Sequence, residues 1–144
     1  MNFEDLKKEF PELLAKIKYA SVGDGWLPLV RDLLATLYYE IDSMPGEIRH
    51  GMTVMTIKEK FGKLRVYMEH STPALELAID LAERISGRTC EKCGNVGTLR
   101  NNSWMRTLCD ADNAEWVAEK ERRDRAFELR ELAQKETEKD KSNE

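Results

Sequence analysis

Three cysteines packed into twenty positions constrain this 144-residue chain more than any other feature. They stand as Cys90-x2-Cys93 and Cys109 within the run TCEKCGNVGTLRNNSWMRTLCDAD. Three thiols cannot all pair with one another. The chain also opens MNFEDLKKEFPELL, without a basic stretch leading into an apolar one, so the expected compartment is the reducing cytoplasm. Clustered there, the cysteines read as metal ligands rather than as a disulfide framework. In C-x2-C followed by Gly94, the two sulfurs converge on one ion, and the glycine allows the tight turn that this needs. Thr98 to Arg100 and Trp104 to Leu108 can pair as strands across Asn101-Asn102-Ser103, which returns Cys109 to the same point. The expectation is a zinc-ribbon-like knuckle over 88–112 holding one zinc ion per chain.

A closed structural zinc site takes four ligands. Repeating the C-x2-C spacing from Cys109 puts the fourth at Asp112, a rarer zinc donor than Cys or His. His50 and His70, the only histidines, are the other protein donors, if the chain folds back far enough. Water in the fourth place, or a metal-free set of buried thiols, are the remaining alternatives. Nothing resembles a histidine-rich ligand set beside a general base, so catalytic zinc is not expected. Glycine-rich phosphate loops, nucleophile elbows and paired acid motifs are also missing from the sequence, and no enzyme activity is expected.

Hydrophobic residues make up 41% and charged ones 35%, against usual shares of about 45–50% and 25%. A core is feasible, but the surface must be highly charged. No apolar run approaches the ~18 residues of a membrane-spanning helix. The net charge of −4 is uneven. Its one basic stretch is the cysteine segment, where Arg88, Lys92, Arg100 and Arg106 face only Glu91. Four cations make a small footprint for nucleic acid.

The fold class expected is α+β, in three parts: a helical and β-hairpin domain over 1–87, the knuckle over 88–112, and a charged C-terminal helix and tail over 113–144. Residues 3–19 carry helical spacing, with Asn2 as N-cap and Pro11 as a break or kink. Ser21 to Gly25 reads as a turn, and a helix from Trp26 to about Ile41 carries a broad apolar stripe with Pro28 in its first turn. Residues 53–69 read as a β-hairpin reversing near Phe61-Gly62, its second strand alternating cleanly and its first poorly. A third helix has Ser71 or Thr72 as N-cap, Pro73 at its first position and Gly87 at its end, and buries Leu75, Ala78, Ile79, Ala82 and Ile85. From Asn113 the chain favours helix, and the last ten residues read as frayed. This helix reads either as a solvated one docked by Trp116 and Val117, or as a partner-binding or dimerising one anchored by Phe127, Leu129, Leu132 and Ala133, whose spacing does not sustain heptads. Trp104 reads either as a cover for the metal or as a stacking surface.

The combination of DGW before a helix, IKEKFGKLRVY as a hairpin, and CEKCG followed by an arginine, a tryptophan and TLCD resembles a family of small uncharacterised proteins of bacteriophages and prophage-bearing bacteria. The resemblance covers roughly residues 21–112, and IKEKFGKLR is its most specific string. Relatives commonly carry a histidine near the position of Asp112, so this chain departs from the pattern at the proposed fourth ligand. The resemblance implies a phage origin and hence the cytoplasm of a bacterial host. The function expected is that of a phage-type accessory protein, a non-catalytic binding module that binds a host or phage protein and can inhibit a host target, with a homodimer as a further association. The alternative is a nucleic-acid-binding or transcription-related zinc ribbon acting through Arg88, Lys92, Arg100, Arg106 and Trp104.

Overall fold

In the computed structural model, which describes residues 1–143, the chain is α+β. It forms two compact units, Met1–Cys109 and Asp110–Glu144.

The first unit begins with helix α1 (Phe3–Glu9). Asn2 accepts a hydrogen bond from the Asp5 amide at 3.0 Å, and the Asp5 carboxylate accepts one from the Asn2 amide at 2.8 Å. This reciprocal capping satisfies two amides that the helix itself cannot. The helix breaks at Pro11 as expected, and the helical spacing of 11–19 is not realised as helix. Pro11 disfavours helical geometry at the residue before it, and α1 is capped at Phe10. Residues 11–16 form turns that still bury Leu13 and Leu14. Tyr19–Ser21 is then not helix but strand β1, and Ser21 to Gly25 is only partly a turn, because Asp24–Trp26 closes as a single 3₁₀ turn.

Helix α2 (Leu27–Asp42) follows with proline in its first turn, as expected, and buries Leu27, Val30, Leu33, Leu34 and Leu37. The short helix α3 (Gly46–Arg49) occupies the loop after it. Strands β2 (Val54–Lys60) and β3 (Lys63–Met68) form the expected hairpin. Phe61 and Gly62 turn it with φ of 53° and 78°, both in the left-handed region that a two-residue type I′ turn requires. The ladder is irregular between Val54 and Thr56. That irregularity explains the poor alternation of the first strand: Val54 and Ile57, three residues apart, are both buried. β1 adds to β2 in parallel, Tyr19 opposite Thr56, giving the order β1-β2-β3.

Helix α4 (Pro73–Ser86) has Thr72 as its N-cap, accepting from the Leu75 amide at 3.3 Å, and Gly87 as its C-cap. Its buried row is Leu75, Ile79, Ala82 and Ser86. Ile85, expected on that row, is 44% exposed. Ser86 takes the inner place because its hydroxyl is satisfied there, accepting from the Leu64 amide at 2.8 Å and donating to the Glu83 carbonyl. A second, two-stranded sheet consists of β4 (Thr98–Asn102) and β5 (Trp104–Leu108), reversing at Ser103 with φ of 60°.

The second unit is helix α5 (Asp110–Ser142), which has no buried residue. It starts three residues before the expected point, with Asp110 and Asp112 in a first turn where negative charge complements the helix dipole. It also runs through the segment expected to fray, because Glu, Lys, Gln and Ala are strong helix formers and no glycine or proline interrupts them. Among the described residues, no helix is long and apolar enough to cross a membrane.

Candidate metal centre

The chain leaves α4 through two tight hydrogen bonds, Arg88 amide to Ile85 carbonyl at 3.0 Å and Thr89 amide to Ser86 carbonyl at 3.2 Å, and enters the knuckle. The Gly94 amide donates to the Cys90 carbonyl at 2.9 Å, and the Cys90 amide donates to the Asn95 carbonyl at 2.7 Å. Gly94 has φ of 82°, which a side chain would resist, so the glycine after C-x2-C is what lets this turn close. Beyond it, Gly97 donates to the Arg88 carbonyl and Glu91 to the Thr107 carbonyl, so β5 is stitched to the knuckle and ends at Cys109.

Four donors converge. One ligand atom from each of Cys90, Cys93, Cys109 and Asp112 lies within 4.8 Å of every other. The Cys93 and Cys109 sulfurs are 3.7 Å apart, far beyond a disulfide bond, and none of the three cysteines is in a disulfide. Two thiolates each ~2.3 Å from one tetrahedral ion stand about 3.8 Å apart, so the observed separation suits a shared metal. Cys90 is wholly buried, Cys93 exposed, and Cys109 and Asp112 intermediate. Asp112 follows Cys109 by three residues, in the first turn of α5. Neither histidine belongs to this cluster, and both are exposed. Three thiols and a carboxylate at this spacing can hold a divalent cation.

The knuckle rests on the DGW segment. The Gly25 amide donates to the Glu91 carbonyl at 2.9 Å, and the Trp26 indole donates to the Thr89 carbonyl at 2.7 Å. A Cβ on Gly25 would lie 2.3 Å from the Cys90 carbonyl oxygen and 2.5 Å from the Gly94 nitrogen. The two backbones therefore touch, and only glycine fits between them. Trp26, itself fully buried, ties the same contact to the core. Reading Trp26 as the start of a helix missed this buttress. Its only signal was the glycine directly before a buried tryptophan.

Comparison with protein-family models, with curated proteins and with solved structures finds no match to this chain.

The basic residues of the knuckle divide by use. Arg106 donates through Nε to the Glu91 carboxylate at 2.5 Å, and Arg100 donates through Nε and Nη2 to the Leu108 carbonyl at 3.2 and 3.1 Å. Both guanidinium groups are thus engaged within the unit. Glu91 is buried, which pushes its carboxyl above the usual range, while the hydrogen bond from Arg106 pulls it back. Arg88 and Lys92 are exposed. Trp104 is 65% exposed and begins β5 at the hairpin turn, whereas Cys109 follows the other end of that strand. Phe127, Leu129 and Leu132 are all exposed on α5.

Proposed function

We propose that Cys90, Cys93, Cys109 and Asp112 bind one zinc ion structurally, and that the protein is a non-catalytic binding module of phage type that binds a host protein. The convergence of four donors on one point carries the zinc reading. Zinc is preferred among divalent ions because a thiolate-rich tetrahedral set suits it best. Its role is structural: it closes a loop whose other supports are backbone hydrogen bonds and the contact with Gly25.

The binding reading rests on Phe61. A bulky side chain at positive φ is strained by about 1–2 kcal/mol relative to an ordinary conformation, and glycine or asparagine would relieve that strain. Yet Phe61 is 63% exposed at the hairpin tip, so burial within the chain does not repay the strain. A partner that buries the ring does. Leu99 and Trp104 on the second sheet, and Val96 before it, are exposed apolar residues as well. A protein partner is favoured over a nucleic acid read by the knuckle because Arg100 and Arg106, two of its four cations, are already engaged within the unit. The resemblance carried by DGW, IKEKFGKLR and CEKCG…TLCD supports a phage origin, and with it a bacterial cytoplasm.

Tagged protein passed over a bacterial lysate tests this. Wild type is expected to retain a discrete partner that Phe61→Asn releases while melting at the same temperature or higher. Equal capture by both proteins contradicts the role given to Phe61.

A further inference from the structure

Helix α4 turns one apolar row inward and leaves a second outside. Leu77, Leu81 and Ile85 stand at i, i+4 and i+8, a single ridge along the helix, and are 71%, 59% and 44% exposed. Single exposed leucines need no explanation, but a contiguous aliphatic ridge marks an interaction surface. Asp80 and Arg84 border this ridge on one flank, one turn apart. Both are exposed, and among the described residues neither has an ion-pair partner. By contrast, Glu83, one residue away, is paired with Arg65.

We infer that the ridge binds a second copy of the chain, with the two α4 helices antiparallel across a two-fold axis at Leu81. The charges choose this occupant and this direction. An antiparallel two-fold places Leu77 against the partner's Ile85 and brings the same flank of each helix together with its order reversed. Asp80 then lies beside Arg84 of the partner subunit, and the pair forms twice. Parallel pairing would instead put this flank of the two helices on opposite sides of the seam, so the Asp80–Arg84 pair could not form. Three side chains cover less than the about 800 Å² per partner of a standard interface, so this is a weak dimer that populates with concentration. It is distinct from the surface around Phe61 and leaves that surface free.

Sedimentation velocity of the full chain, from low-micromolar to near-millimolar concentration, tests the inference. Wild type is expected to shift from monomer to dimer. Leu81→Glu places two carboxylates on the axis and should weaken association by at least ~100-fold. The site is exposed, so the monomer should keep its circular dichroism and melting temperature. Leu77→Glu, at the most exposed position of the ridge, should act in the same direction. Asp80→Arg and Arg84→Asp should each weaken the dimer, and the double exchange should restore it, which no general loss of stability would do. Three results overturn the inference: wild type monomeric throughout the range, association unchanged in Leu81→Glu, or association lost in Phe127→Glu or Leu132→Glu while Leu81→Glu retains it. The last would give the contact to α5.

Discussion

The knuckle and helix α5 adjoin in sequence and are held by opposite means. The knuckle is short, irregular and internally tied. It is fixed by backbone hydrogen bonds to α4 and β5, by the Gly25 contact, and by a fully buried Cys90. The helix is long and regular and buries nothing. Local propensity and the dipole-matched first turn sustain it, each contributing only tenths of a kcal/mol per residue. Irregular backbone must be paid for by specific contacts, so single substitutions in the knuckle should be severe. A regular helix spreads its support over 33 residues, so single substitutions there should be mild.

The largest expected effect is at Cys90. Cys90→Ser should abolish stoichiometric metal binding and lower the melting temperature by about 10 °C or more, while the helical signal survives because α2, α4 and α5 do not depend on the metal. Loss of metal without any change in melting temperature would separate ion from fold and break the contrast. Next comes Gly25→Ala, which forces a methyl against the knuckle backbone. It should cost about 1–3 kcal/mol in denaturant unfolding and weaken metal binding too, although residue 25 carries no ligand atom. An unaffected metal affinity would mean that DGW supports the core and not the knuckle.

How much of this was legible in the sequence follows from the range of each interaction. α2, α4 and the β2–β3 hairpin were readable because their signals are local: Pro28, Thr72-Pro73, Gly87 and Phe61-Gly62 lie at the element boundaries themselves. The metal cluster was readable for the same reason, since C-x2-C and a hairpin return need only spacing. β1 was not, because its three residues show no alternation and their partner strand lies more than thirty residues later. The same holds for Gly25 on Cys90 and for Trp26 on Thr89, which meet across more than sixty residues. Ile85 was misplaced because hydrophobicity alone cannot show that Ser86 finds hydrogen-bond partners inside.

Smaller effects sharpen the same comparison at its junction. Asp112→Ala should weaken metal binding by at least about tenfold and leave the helicity of α5 intact, whereas Asp112→His should strengthen it, because imidazole is the commoner zinc ligand. Competition with a chromogenic chelator measures both. If Asp112→Ala is silent while His50→Ala or His70→Ala releases metal, the fourth ligand is misassigned. The smallest effects belong to the helix: Leu129→Ala and Leu132→Ala should each change stability by no more than about 0.5 kcal/mol. A loss several times larger would show that α5 is held by packing after all.

In the proposed metal centre, three thiols and a carboxylate share one ion that closes the knuckle. Native mass spectrometry of protein purified without added metal tests it most directly, with thermal melting before and after a strong chelator. One zinc per chain is expected, with a clear fall in melting temperature when the zinc is removed. A metal-free mass together with a melting temperature that the chelator does not move would contradict it.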